Sequence, residues 1–275
     1  MLKIGLLGAG AIGRIIATAL EPQRSGSDDG KSIDAQLVAI CDQDRERADK
    51  LSSELSNHPP VVSIEGMIEK CDLAVEAASQ GALPTFVPKA LERRRDMLVM
   101  SVGGLLGHND WFRQAAKRGC RIYVPSGAIA GLDGIKSASI GKLESAVLTS
   151  RKPVAALKGT KFVVERGIAV ESFKTETAIF EGTAEEAAKA FPTTSNVAAS
   201  LRLATDPSVP VQVRVMAVPG GTQNVHEIRV RGEFGCLMVT IQNVPSKQNP
   251  RTSQLAAYSA IATLANLTRA LRVGT

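Results

Sequence analysis

The sequence predicts an α/β fold in which a doubly wound parallel sheet is followed by an α+β domain with a mainly antiparallel sheet. Three observations support this prediction. A short apolar run, Leu2–Leu7, ends in a glycine-rich turn at residues 8–13 and leads into a helical pattern. Up to about residue 143, short apolar strands alternate with amphipathic helices, as in a parallel sheet. Beyond that point polar and apolar residues alternate along the strands, which is typical of an antiparallel sheet with one solvated face.

The composition of the 275 residues is that of an ordinary globular protein, with 44% hydrophobic and 22% charged residues. The net charge of +6 is spread along the chain, so we expect small anionic ligands rather than nucleic acid as partners. Four cysteines without CxxC spacing and only three histidines argue against a metal site and favour a reduced, cytoplasmic compartment. No apolar run reaches the roughly 18 residues of a membrane span, and we recognise no signal peptide before the first strand.

The first predicted domain, residues 1–143, is built from five strands and the helices between them. Each strand is an apolar run, and each helix has apolar residues three and four positions apart. Pro22 ends the first helix, and a polar loop, Gln23–Asp34, follows it. The predicted strands are Leu2–Leu7, Ala35–Cys41, Leu73–Ala77, Met97–Val102 and Arg121–Val124. The later predicted helices are Arg45–Ser56, Pro84–Arg93 and Asp110–Arg118.

The second predicted domain, residues 144–252, is expected to bind substrate or to form an oligomer. Its predicted helices are Ala184–Ala190 and Asn196–Ala204. The first of them starts with a capping box formed by Thr183 and Glu186. Its predicted strands are Ala146–Ser150, Lys161–Glu165, Glu176–Phe180, Val211–Met216, Glu227–Gly232 and Leu237–Gln242. The last segment, 253–275, contains a long apolar-faced helix that can return to pack on the first domain.

The glycine-rich turn has the context that a dinucleotide-binding motif requires, since it follows a strand, opens a helix and precedes a second strand that ends in an acid. Gly8 allows the tight turn, Gly10 lets the backbone approach the pyrophosphate, and Gly13 lets helix and strand pack closely. Ala11 and Ile12 complete the turn, and the helix N-terminus offers free N–H groups to the phosphates. The first domain is therefore predicted to be a Rossmann domain that binds NAD or NADP.

Asp42, directly after the second strand, is the predicted partner of the adenosine ribose. A carboxylate there repels a 2′-phosphate and so favours NAD, although Arg45 and Arg47 are close in sequence and NADP remains possible. The alternative interpretation of Asp42 is a solvated strand end or a helix N-cap. The fold alone does not identify the reaction.

Hydride transfer usually needs a proton acceptor, and histidine titrates closest to neutral pH. Of the three histidines, His226 at the start of a predicted strand is the best candidate, although a structural role fits it about as well. Arg151 and Lys152 end a strand as two adjacent cations that could clamp a dicarboxylate; two solvated cations before a turn are the alternative. Asn196 opens a helix, so an N-cap is its structural alternative.

Together these segments resemble the L-aspartate dehydrogenase family over nearly the whole chain. The matching segments are Gly8–Gly13, Glu76–Gln80, Ser126–Asp133, Thr149–Pro153, Phe180–Ala184, Phe191–Pro192, Asn196–Ala199, Asn224–Ile228, Arg231–Gly235 and Asn249–Ser253. Two features depart from the family's pattern: the longer loop Gln23–Asp34, beside the adenosine half, and extra residues between Pro153 and Thr175, after the cationic pair.

The resemblance implies oxidation of L-aspartate at Cα by NAD(P)+ to iminoaspartate, which water converts to oxaloacetate and ammonia, with a link to NAD biosynthesis. It also implies that His226 is the active-site histidine, that Ala130 and Asn196 contact the cofactor, and that the protein is a homodimer or homotetramer. Arg151 and Lys152 are inferred from charge alone. The rival interpretations are another amino-acid or semialdehyde dehydrogenase of the same build and a non-catalytic NAD(H) sensor.

Overall fold

The computed structural model describes residues 1–22, 33–192, 195–244 and 253–274, and the chain divides into two compact units. Unit 1 comprises Met1–Pro125 together with Ala257–Val273, and unit 2 is built on Ser126–Ala256. Most of the predicted polar loop, 23–32, lies outside the described residues, as do residues 249–252 of the last matching segment.

Unit 1 contains a five-stranded sheet in the order β2-β1-β3-β4-β5, and all of its strand pairs are parallel. The strands are β1 (Leu2–Leu7), β2 (Ala35–Cys41), β3 (Leu73–Glu76), β4 (Asp96–Val99) and β5 (Ile122–Tyr123). The helices are α1 (Ala11–Ala19), α2 (Arg45–Glu54), α3 (Ile64–Lys70), α4 (Leu83–Glu92) and α5 (Asn109–Arg118). The parallel sheet confirms the predicted doubly wound fold and brings the carboxyl ends of β1 and β2 to one edge.

Unit 2 contains a second five-stranded sheet in the order β10-β9-β6-β8-β7, in which only β6 and β8 pair in parallel. Its strands are β6 (Leu143–Pro153), β7 (Thr177–Thr183), β8 (Val211–Val218), β9 (Asn224–Gly232) and β10 (Gly235–Asn243). Its helices are α6 (Leu132–Ala138), α7 (Val154–Leu157), α8 (Lys161–Glu165), α9 (Ala184–Ala190) and α10 (Asn196–Ala204), and α11 (Gln254–Thr268) follows them. The mainly antiparallel sheet of the second domain is thereby confirmed.

One predicted strand is wrong. Residues 161–165 form the short helix α8, in which only Val163 is buried. The apolar run Phe162–Val164 is too short for its period to distinguish a helix from a strand, and its end at a turn through Gly167 fits either. The capping box is confirmed, because the Thr183 hydroxyl accepts the Glu186 N–H while the Glu186 carboxylate accepts the Thr183 N–H.

The contacts place residues 126–143 with unit 2, whereas the sequence pattern groups them with the first domain. Helix α6 lies against α10, and Gly131 and Gly134 approach Val239 and Leu237 of β10 so closely that a Cβ would contact those side chains. Seven-residue helices such as α3 and α6, each with an internal glycine, are too short to give a clear periodic pattern.

The unit 2 sheet has an inner face, which carries the core, and an outer face. On β6, β8 and β9 every second residue is buried, because side chains alternate between the two faces of a strand. The inner-face residues of β6 are Ala146, Leu148, Ser150 and Lys152, and those of β9 are His226, Ile228 and Val230. Polar residues therefore occupy core positions at one end of both strands. None of the described helices is long and apolar enough to cross a membrane.

Candidate active site

The turn between β1 and α1 is shaped by close backbone contacts. Gly8 has a φ of +104°, and a Cβ there would lie 2.6 Å from backbone atoms of Ala77. A Cβ on Gly13 would overlap the carbonyl oxygen of Gly8, so α1 can lie this close to the turn only with glycine. A Cβ on Gly10, by contrast, would meet no protein atom within 4 Å. That open approach, beside a helix N-terminus without a side-chain cap, fits the pyrophosphate of a dinucleotide.

Asp42 lies beside this turn at the end of β2. Its carboxylate accepts the N–H of Ala9 at 2.6 Å and that of Asp44 at 2.9 Å. A carboxylate has about four acceptor positions, so two remain for ribose hydroxyls. The helix N-cap of α2 is Asp44, whose side chain accepts the Arg47 N–H, so the N-cap alternative for Asp42 does not hold. Ala11 and Ile12 are the first residues of α1 and are half-buried.

In unit 2 a polar cluster occupies the inner face where β6 and β9 pair. Ser150 stands directly opposite His226 in the antiparallel register, and its Oγ lies 2.9 Å from the His226 Nδ1. Lys152 is two residues further along β6 and therefore on the same face. The side chains are hidden from solvent, with His226 only 4% and Lys152 only 8% exposed. The sequence thus brings a hydroxyl, an imidazole and an ammonium group together in an otherwise apolar core.

Burial and mutual repulsion change how this cluster titrates. Burial lowers the pKa of Lys152 to about 8. Burial, with a smaller contribution from the positive charge of Lys152, lowers the pKa of His226 to about 3. His226 is consequently a neutral imidazole over the physiological range. Perturbed groups of this kind, close together and buried, are typical of functional sites.

A small pocket opens beside the cluster; about 270 Å³ of space lies within its outline, part of it open to solvent. Ser150, Lys152 and Ser195 supply its polar groups. Apolar residues form the rest of the wall: Leu148, Ala187, Phe191, Val197, Ala198, Val213 and Val215. The hydroxyl of Ser195 is buried and has no hydrogen-bond partner among the described residues. A ligand with a hydrogen-bonding group would satisfy it, because unpaired buried polar groups are costly.

The two adjacent cations predicted to form one clamp do not lie together. Arg151 projects from the outer face of the sheet, where it pairs with Glu176 at 2.9 Å and with Glu227 at 3.1 Å. Neighbouring residues in a strand point to opposite faces, so Arg151 and Lys152 cannot grip one ligand. Lys152 alone faces the pocket, whereas Arg151 belongs to an ion-pair network on the other side.

Ala130 is exposed in the segment that leads to α6, next to Gly131 with its φ of +81°. This segment is held by the buried Asn243, whose amide donates to the carbonyl of Ala128 at 2.9 Å. Asn243 in turn accepts the hydroxyl of Ser253 at 2.6 Å. Ala130, for which a cofactor contact is predicted, thus lies in a loop of unit 2 that these hydrogen bonds hold in place.

Asn196 is the first residue of α10 and follows the pocket residue Ser195. The N-cap position belongs to Ser195, so the structural alternative given for Asn196 does not apply to it. Asn196 is half-buried, and its neighbours Ser195 and Val197 line the pocket.

Sequence reasoning missed Ser150, Ser195 and Asn243 as parts of the site. Ser150 could have been found, because alternation along the strand places it with Lys152 and opposite to Arg151. The importance of Ser195 rests on its lack of a partner in the folded chain, and that of Asn243 on a hydrogen bond to a residue more than a hundred positions away. No sequence pattern indicates such properties.

Comparisons with known proteins bear on both halves of the chain. A family model described as "Aspartate dehydrogenase, C-terminal" matches residues 133–267, and one described as "Homoserine dehydrogenase, NAD binding domain" matches residues 8–125. The L-aspartate dehydrogenases of Methanosarcina mazei and Methanocella arvoryzae are each 44% identical to this chain, over 279 and 278 residues, with both chains fully covered. A crystal structure of aspartate dehydrogenase from Thermotoga maritima has a TM-score of 0.73 at 23% identity, also over both whole chains, and supports the fold.

Proposed function

The chain belongs to the L-aspartate dehydrogenase family, and on that premise we propose that the pocket of unit 2 binds L-aspartate for oxidation at Cα. The enzyme is an oxidoreductase with an NAD(P)-binding domain. The reaction removes a hydride from Cα and a proton from nitrogen to give iminoaspartate. Addition of water and loss of ammonia then give oxaloacetate.

The observation that carries this proposal is the buried ammonium group of Lys152, which has no acidic partner among the described residues. A buried cation is stable only with a counter-charge, and a substrate carboxylate would provide one. Ser195, whose hydroxyl lacks a partner, can donate a hydrogen bond to the same carboxylate. The pocket therefore suits a small anion that also presents an apolar edge to Val197 and Val213.

His226 is proposed to move the protons of the reaction. The substrate nitrogen must lose a proton before its lone pair can assist departure of the hydride, and a neutral imidazole can accept that proton. The role requires Nδ1–H to donate to the Ser150 Oγ, since Nε2 then keeps its lone pair. The same nitrogen can return a proton while water adds to the imine. A bound nicotinamide would supply the acceptor for the hydride.

Cofactor contacts are proposed for residues of each unit, taken one unit at a time. The glycine turn of unit 1, including Ala11 and Ile12, would hold the pyrophosphate at the N-terminus of α1. Asn196 would pair its amide with the nicotinamide carboxamide, and the backbone at Ala130 would contact the cofactor as the family resemblance implies. NAD is the proposed coenzyme, because the Asp42 carboxylate beside the turn would repel the 2′-phosphate of NADP.

His226→Ala tests the assignment of the proton acceptor. We expect the turnover number with L-aspartate and NAD+, followed by the absorbance of the reduced coenzyme, to fall by about 10²-fold or more. Binding of NADH, measured by its fluorescence, should remain close to that of the unchanged protein. His108→Ala is a matched control, since that histidine stacks on Trp111 in unit 1. Turnover retained within a few-fold in His226→Ala would remove this residue from the mechanism.

A further inference from the structure

Lys152 and His226 interact electrostatically, and both side chains are buried. They project from the same inner face, with Ser150 opposite His226 and Lys152 next along β6. Both are more than nine-tenths buried, so little water screens the interaction between them.

The elements packed around this pair contribute no further charge. In the register of β10, the residue opposite His226 is Ile241. Strand β8 and helices α9 and α10 supply only apolar side chains and the Ser195 hydroxyl to the pocket. The charged neighbours in sequence, Arg151 and Glu227, form an ion pair on the outer face. Within the described residues, Lys152 is the one charged group that acts on His226 in this pocket.

The positive charge of Lys152 opposes protonation of His226, which adds to the effect of burial. A carboxylate bound to Lys152 would neutralise that charge and place a negative charge near the imidazole. Both changes favour an imidazolium ion. The pocket thus contains a cation whose effect on the base depends on whether an anion is bound.

Building on the function proposed above, we propose that Lys152 couples substrate binding to proton acceptance. A substrate carboxylate pairs with the Lys152 ammonium group, cancels its repulsion of a proton on His226, and so makes His226 a stronger base in the complex than in the free protein. The proton that the substrate ammonium group gives up then moves to Nε2 of His226, and the Nδ1–H bond to Ser150 is kept. Lys152 acts here through His226 and is a positioning residue for the proton.

Succinate provides the direct test, because it carries two carboxylates but has no amine to oxidise. We would follow the three histidines of the ¹⁵N-labelled protein by NMR between about pH 4 and pH 8, with acid-stable NAD+ present and with saturating succinate or an equal ionic strength of chloride. The pKa of His226 should rise by about one pH unit with succinate, because Lys152 makes the smaller of the two contributions to its shift. His58 and His108, both in unit 1, serve as internal references and should not move. An unchanged His226 at saturating succinate, or no succinate binding at all, would overturn the proposal.

Lys152→Met separates coupling from a purely structural role of the lysine. In this variant His226 should already have a raised pKa without succinate, and succinate should no longer change it. Lys158→Met is the matched control, because Lys158 is exposed and pairs with Glu171. A wild-type pKa for His226 in Lys152→Met would contradict the coupling.

The two levels of the proposal can fail separately. If the protein oxidises aspartate but succinate leaves the pKa of His226 unchanged, the proposed function stands and the coupling is disproved. If succinate raises the pKa of His226 but the protein does not oxidise aspartate, the coupling stands and the proposal that aspartate is the substrate is disproved.

Discussion

At the scale of single residues, the most informative feature is a lysine at a core position of β6. The burial pattern along this strand demands an apolar side chain at position 152, and a local rule broken in this way is expected mainly at functional sites. The cost appears as the lowered pKa of Lys152, from 10.5 in water to about 8 in the fold. Lys152 therefore lowers the stability of the free protein, and a bound anion can offset that loss by pairing with its ammonium group.

Lys152→Met is accordingly expected to stabilise the protein while it removes activity. The pKa of Lys152 is about 8 in the folded chain and 10.5 in the unfolded chain. The buried charge therefore lowers the free energy of unfolding by its full amount below pH 8, and by less and less as the pH rises to 10.5. At pH 7 the gain in unfolding free energy should be roughly 3 kcal/mol, and it should shrink towards pH 10. Denaturant unfolding at both pH values measures this. A variant that is less stable than the unchanged protein at pH 7 would show that the ammonium group is compensated in the free protein.

At the scale of elements, the turn between β1 and α1 uses its glycines for different purposes. A side chain at Gly13 would meet the backbone of Gly8, whereas one at Gly10 would point into open space. The fold therefore requires glycine at position 13, whereas glycine at position 10 is required only by a ligand that approaches the turn.

Two substitutions distinguish these purposes. Gly13→Ala should lower the free energy of unfolding by about 1–3 kcal/mol through overpacking and should also weaken NADH binding. Gly10→Ala should leave the stability within about 0.5 kcal/mol of the unchanged protein and weaken NADH binding by about tenfold or more. Thermal unfolding and NADH fluorescence titration check both. If Gly10→Ala bound NADH normally, the dinucleotide would not approach the turn there.

Element prediction from the sequence succeeded where the pattern was long and failed where it was short. The strands of both sheets and helices α1, α4, α5 and α10 follow from apolar periodicity, and α9 from its capping box. The segment Lys161–Glu165 failed because five residues carry no clear period. The joint clamp of Arg151 and Lys152 failed for a different reason: adjacency in the sequence was read as adjacency in space, although a strand separates neighbours onto opposite faces.

At the scale of the whole molecule, each unit contributes a different part of the chemistry. Unit 1 supplies the glycine turn with Asp42, and unit 2 supplies the pocket lined by Lys152 and Ser150, with His226 hydrogen-bonded to Ser150. A doubly wound sheet serves many reactions, so the fold alone could not identify the substrate. The order of motifs along the chain and the full-length similarity to L-aspartate dehydrogenases do so. The pairing of His226 with Ser150 became visible only in the folded chain.

The most direct test of this account is the stoichiometry of turnover by the purified protein with L-aspartate. We predict that reduced coenzyme, ammonia and oxaloacetate form in equal amounts, and that kcat/KM is higher with NAD+ than with NADP+. D-aspartate and L-alanine, which differ in configuration or lack the side-chain carboxylate, provide the matched controls. Absence of reduced coenzyme from L-aspartate with both coenzymes, together with no oxidation of NADH by oxaloacetate and ammonia, would contradict the account.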